Sequence, residues 1–63
     1  MIKYIEIYNM GFEEGFYFAY VDFCKNKRKT FKKIDDSIIK DKLYDLGYIN
    51  AYNLFYGIMK NHL

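Results

Sequence analysis

The sequence predicts an all-α fold, a small helical hairpin of two aromatic-rich helices that packs as a homodimer. Three observations predict it. Two segments of the chain match each other, aromatic residues recur at helical spacing in both, and 63 residues are too few to enclose eight tyrosines and six phenylalanines. A chain of this length has room for one domain, residues 1–63.

The match between the two segments has no gaps. Residues 8–24 align on residues 44–60, and the aligned pairs Tyr8/Tyr44, Gly11/Gly47 and Tyr20/Tyr56 are identical. Seven of the other fourteen pairs agree in type. We interpret the match as an internal structural repeat, although two aromatic-rich segments can also match by chance.

The first copy predicts a helix. One helical stripe collects Tyr8, Phe12, Phe16, Ala19, Tyr20 and Phe23. Asn9 is a candidate N-cap, which would start the helix just before Gly11. The alternative carries the helix back to about Lys3 and places Gly11 inside it, where glycine costs about 1 kcal/mol relative to alanine.

The opposite side of this helix is apolar as well. Met10, Tyr17, Val21 and Cys24 lie there. A helix that is apolar nearly all round is buried on two sides, and a two-helix chain covers only one of them. We therefore expect another molecule on the second side, with Tyr17, Phe18 and Val21 in contact.

Residues 25–33 form a basic connection between the copies. Its cations are Lys25, Lys27, Arg28, Lys29, Lys32 and Lys33. Such residues neutralise phosphates or dock on an acidic protein surface, so they are candidates for either contact. The alternative is a connection that only keeps two apolar helices in solution.

The second copy predicts a helix with the same stripe. Its members are Tyr44, Tyr48, Tyr52, Phe55, Tyr56 and Met59. Asp45 is a candidate N-cap; alternatively the helix starts near Asp35, capped by Asp35 or Asp36, and is broken near Gly47. Three tyrosines are predicted contacts, within the core or with a partner: Tyr48, Tyr52 and Tyr56.

Two further alternatives concern packing. Gly11 with Gly15, and Gly47 with Ala51, are small residues four apart that let two backbones approach closely. They fit a crossing of the two helices within one chain or the seam of a dimer. Residues 2–8 alternate weakly enough to form a short strand paired with residues 30–34, which would give an α+β fold.

No pattern predicts catalysis, a cofactor or a metal site. Cys24 and His62 are the only possible nucleophile and base, and no third group is placed to orient them. Asp35, Asp36 and Asp41 lack the spacing and the turn glycine of a calcium loop. We expect no enzyme and no cofactor.

The predicted function is therefore a small non-enzymatic interaction protein that inhibits or regulates a larger protein. The many Lys, Ile, Asn, Tyr and Phe residues reflect AT-rich codons, which favour a phage or mobile element as the source. The alternative is a small nucleic-acid-binding protein that uses residues 25–33, although a pI near 8.6 is low for one.

Location and partners follow from the same residues. A lone cysteine and no export signal favour the cytoplasm. The longest uncharged run, residues 46–59, is shorter than the ~20 residues of a spanning helix, so a membrane partner is not expected. The expected partners are a second copy of the chain and a larger protein.

Overall fold

Two helices make up the fold. The computed structural model describes residues 3–34 and 41–61. Within these ranges the chain forms α1 (Tyr4–Cys24) and α2 (Leu43–Asn61), and no strand. The predicted all-α fold of two aromatic-rich helices is confirmed.

α1 begins well before the first copy of the repeat. Lys3 is its N-cap, and the Lys3 backbone N–H donates to the Glu6 carboxylate at 3.3 Å. This bond satisfies a backbone donor that the helix itself leaves free. The N-cap predicted at Asn9 is therefore wrong, and the alternative start near Lys3, with Gly11 inside the helix, is correct. The α+β alternative is also wrong, because residues 4–8 are helical.

α2 continues through Gly47, so the break predicted there is wrong. Gly47 packs against the backbone of α1, and this close contact offsets the low helix propensity of glycine. Asp45 lies in the first turn rather than at the N-cap, where its carboxylate complements the helix dipole. The predicted caps Asp35 and Asp36 lie outside the described residues.

The two helices run in the same direction. Gly11 lies against the backbone of Tyr44 near one end of the pair. Phe23 meets Tyr56 near the other end, with ring centroids 6.0 Å apart. Parallel neighbours require a connection that travels back along the fold, and residues 28–31 contact α2 in reverse order, from Tyr56 to Tyr48.

Glycine permits the close approach of the helices. A Cβ atom on Gly11 would overlap the carbonyl oxygen of Tyr44, and one on Gly47 would overlap that of Tyr8. The small residues thus serve a crossing within one chain. They are not free to form the seam of a dimer, which was the other use predicted for them.

Two side-chain hydrogen bonds between the helices also join equivalent pairs of aligned positions. The Tyr44 hydroxyl donates to the Glu14 carboxylate, and the Asn50 amide donates to the Tyr8 hydroxyl at 3.1 Å. Tyr8 aligns with Tyr44, and Glu14 aligns with Asn50. An approximate two-fold axis parallel to the helices therefore relates residues 8–24 to residues 44–60.

A left-handed residue turns the chain out of α1. Asn26 has φ of 57°, a region that asparagine tolerates better than most residues. The Lys27 N–H donates to the Asp22 carbonyl at 2.8 Å, and the Asn26 N–H donates to the Phe23 carbonyl at 3.1 Å. This is the Schellman arrangement of a helix C-terminus, and it sends the connection back along α2.

Candidate interaction surfaces

A polar junction joins α1, the connection and α2. The Tyr52 hydroxyl donates to the Asp22 carboxylate at 2.8 Å and accepts from the Lys29 backbone N–H at 2.8 Å. The Lys29 ammonium lies 3.6 Å from the same carboxylate. Tyr52 is fully buried, and burial is the main reason that its pKa lies above the ordinary value.

Residues 25–34, which we call the connecting segment, cover one side of α2. The Phe31 ring packs edge-on against Tyr52 and Tyr48, with centroids 5.0 and 5.9 Å apart. The Arg28 guanidinium lies 4.8 Å above the Tyr56 ring, a cation–π contact. Part of the basic segment is therefore structural.

The other basic residues of the segment face solvent. Lys25, Lys27, Lys32 and Lys33 are exposed, and none forms an ion pair with a described residue. An open groove of about 530 Å³ lies between this segment and the N-terminal half of α2. Its lining combines four lysines and one acid with aromatic rings: Lys29, Lys32, Lys33, Lys42, Asp45, Phe31 and Tyr48. This arrangement suits an anionic ligand.

The outer face of α1 consists of Met10, Tyr17, Val21 and Cys24, and most of it is exposed. Tyr17 is 62% exposed and Met10 is 55% exposed. Cys24 is exposed as a free thiol, and Val21 is half-buried. Large apolar side chains at this exposure on one face are typical of an interaction site.

Phe18 connects this face to the packed interior. Its ring stands edge-on to Tyr17 at 5.2 Å and is stacked on Tyr48 at 6.2 Å. Of the predicted contact residues, Tyr17 and Phe18 are therefore accessible, and Tyr48 and Tyr56 are half-buried. Tyr52 lies in the core, the first of its two predicted roles.

Two features were missed from the sequence. Asp22 is a charged residue, yet it is buried. Its spacing from Gly11 and Gly15, eleven and seven residues, places it on the same helix face and could have revealed this. The exposure of Tyr4 and Ile5 left no such signal, because they precede the repeat.

Among residues 3–34 and 41–61, no three His, Cys, Asp or Glu side chains are grouped to hold a metal ion. His62, the only possible base for Cys24 in the sequence, lies outside these ranges. Neither α1 nor α2 has the length and apolar character to cross a membrane. The chain matches no protein-family model, no curated protein and no solved structure.

Proposed function

We propose that this protein is a non-enzymatic interaction protein that docks on a larger protein through the outer face of α1. The exposure of Tyr17, at 62%, is the observation that carries the proposal. Tyrosine contributes a large, rigid contact area at low entropic cost, and it is among the residues that dominate binding energy at interfaces. Met10, on the same face, adds a side chain that adapts to an irregular surface.

Charge favours a basic partner. Glu13 and Glu14 are exposed on the two sides of the outer face. A partner with lysine or arginine around its contact would complement them. Two copies that met face to face would bring like charges together, so a larger protein is better supported than this form of homodimer. The predicted homodimer stays a prediction.

The mode of action that we propose is occupation of the partner's surface. Bound through its outer face, the protein acts as an inhibitor or regulator by blocking what the partner's surface would otherwise bind. The lone cysteine and the codon bias support a cytoplasmic protein encoded by a phage or mobile element.

The first test is the mass in solution, by light scattering at low and moderate salt. A monomer with the outer face free supports docking on a larger protein. A double variant, Tyr17→Ala with Val21→Ala, is then compared with Leu54→Ala, an exposed apolar residue of α2. A partner held by the wild type and by Leu54→Ala, but lost by the double variant, supports the proposal. A stable dimer that the double variant dissociates would assign the face to self-association instead.

The exposed lysines favour a second candidate function, nucleic-acid binding. Lys25, Lys27, Lys32 and Lys33 are free to contact phosphates, whereas Arg28 and Lys29 are held by the fold. Affinity for a single-stranded oligonucleotide should fall steeply with salt. Changing the four free lysines to glutamine should abolish it. Binding that survives this change would remove the candidate.

A further inference from the structure

The approximate two-fold axis relates two rows of aromatic rings that differ in what covers them. The connecting segment packs on one row, which we call the covered row; it consists of Tyr48, Tyr52 and Tyr56 on α2. The aligned row on α1 consists of Phe12, Phe16 and Tyr20. We call it the open row. The two rows lie at equivalent angles to the helix contact, because the aligned glycines fix the same crossing.

Exposure shows the difference directly. Tyr52 is 0% exposed, whereas its counterpart Phe16 is 37% exposed. Tyr20 is 56% exposed, whereas its counterpart Tyr56 is half-buried beneath Arg28. No described residue lies over the open row in the way that the connecting segment lies over the covered row.

The packing of α2 fills the open row only in part. The Phe55 ring stands edge-on to Phe16 at 5.3 Å and to Tyr20 at 6.2 Å. Its counterpart on α1 is Ala19, which is too small to make such contacts with the covered row. Phe55 thus supports the inner edges of the two rings, and their outer surfaces stay accessible.

The covered row shows which chemistry fits such a surface. An extended segment places the Arg28 guanidinium over one tyrosine ring and, three residues later, the Phe31 ring against the other two tyrosines. Glu13, one helical turn before Phe16 on α1, is exposed and places a negative charge near the open row. The open row therefore offers a similar aromatic surface, with a negative charge nearby, to a cation.

We infer that the open row of Phe12, Phe16 and Tyr20 binds an extended, basic segment of a protein partner in which an aromatic residue follows an arginine by three positions. The inference rests on the proposed function, since it names the chemistry of a protein partner, but it uses a surface separate from Tyr17. The arginine lies over Tyr20, and the aromatic side chain packs on Phe12 and Phe16. Phe16 lacks the hydroxyl that receives the Lys29 N–H in the covered row, so ring packing and charge supply the affinity.

The connecting segment itself provides the probe. A labelled peptide with the sequence of residues 27–33 is titrated into the full chain at low salt, and binding is followed by anisotropy and by NMR shifts. Because the connecting segment is tethered beside the covered row at high effective concentration, the added peptide meets only the open row. We expect shifts around Tyr20 and not around Tyr56.

Matched variants separate this inference from the proposed function. Tyr20→Leu removes the ring from the open row and should weaken peptide binding about threefold to tenfold. Tyr4→Leu alters a tyrosine of similar exposure at the start of α1, outside both proposed surfaces, and should leave peptide binding unchanged. A peptide in which alanine replaces the phenylalanine, and glutamine the arginine, should bind more weakly to the wild type. Equal losses in the two variants, shifts around Tyr56, or no binding at millimolar peptide would overturn the inference.

Discussion

Tyr52 on α2 and Asp22 on α1 share a buried hydrogen bond of 2.8 Å, donated by the tyrosine hydroxyl. The same hydroxyl accepts from the Lys29 N–H, so a single oxygen atom links both helices to the connecting segment. Asp22 is the only buried acidic residue among those described, and this bond together with Lys29 compensates for its desolvation. The junction fixes where the connection returns along α2.

Removal of the Tyr52 hydroxyl should be costly. In Tyr52→Phe, the buried carboxylate of Asp22 loses its donor and the Lys29 N–H loses its acceptor. Leaving a buried polar group unpaired costs about 1–3 kcal/mol. We expect a lower free energy of unfolding by about this amount, measured by urea denaturation.

Tyr56→Phe is the matched control for that prediction. The Tyr56 hydroxyl is buried and has no hydrogen-bond partner among the described residues. Its removal should leave the stability unchanged or raise it slightly, while the ring stays beneath Arg28. A loss in Tyr56→Phe equal to that in Tyr52→Phe would contradict the role given to the junction.

Replacement of glycine by alanine should have opposite effects on stability at Gly11 and at Gly57. Gly11→Ala would force the helices apart, because the new Cβ atom would overlap the Tyr44 carbonyl oxygen and backbone atoms cannot move aside. Gly57 has no atom within 4 Å of an added Cβ. Gly57→Ala should therefore stabilise the protein by up to about 1 kcal/mol through helix propensity.

Circular dichroism during thermal unfolding measures both changes. Small domains of this size have about 3–5 kcal/mol to lose, so Gly11→Ala should remove most of the cooperative transition. Gly57→Ala should raise Tm by a few degrees. Two equal shifts in the same direction would show that helix propensity alone, rather than close approach, governs these positions.

The sequence predicted which face of each helix packs, but not whether the two helices run parallel or antiparallel. Helical spacing correctly placed Ala19, Phe23 and Phe55 on faces that meet, because period 3.6 is a property of each helix by itself. The direction of the helices was not predictable in this way, since spacing is the same for parallel and antiparallel neighbours. The structure shows that the helices are parallel, because Gly11 lies against Tyr44 and Gly47 lies against Tyr8.

For the candidate surfaces, too, the position of a side chain on its helix was predictable, but what covers it was not. Tyr17 could be identified from its position opposite the stripe, since a second apolar face on a helix is visible in sequence. The structural use of Arg28 could not, because a cation in a basic run looks the same whether it lies over Tyr56 or faces solvent. Likewise, the open row looked like core from its spacing, and only the path of the connecting segment distinguishes it from the covered row.

The pH dependence of stability should show an alkaline decline that involves Tyr44. The hydrogen bond to the Glu14 carboxylate is the main reason that the pKa of Tyr44 is raised to about 12, from about 10 when unfolded. Because the folded state holds the phenol proton more tightly, this contribution is complete below pH 10. It is lost as the pH rises from about 10 to about 12. Tyr52, with its pKa also raised, acts in the same direction.

Urea unfolding at pH 8, 10 and 11 tests this assignment. Glu14→Gln replaces the carboxylate, whose hydrogen bond is the main cause of the raised pKa of Tyr44, with a neutral and weaker acceptor, so the decline above pH 10 should become shallower. Tyr44→Phe removes the titrating group and should also flatten it. A decline as steep in both variants as in the wild type would show that the alkaline loss arises from other tyrosines.

Phe31 should anchor the connecting segment to α2. Its ring contacts Tyr48 and Tyr52, whereas the neighbouring Lys32 is exposed. Phe31→Ala should cost about 1–3 kcal/mol, less than a fully buried phenylalanine because the ring is only half-buried. Lys32→Ala should change the stability by less than about 0.5 kcal/mol.

Hydrogen exchange at the Lys29 amide reports the anchor more specifically than global stability does. This N–H donates to the Tyr52 hydroxyl, so its protection depends on the segment staying in place. In Phe31→Ala we expect protection at Lys29 to fall by a larger factor than protection in the middle of α1. In Lys32→Ala, both should stay as in the wild type. A uniform loss of protection in Phe31→Ala would mean that the segment and the helix pair unfold as one unit.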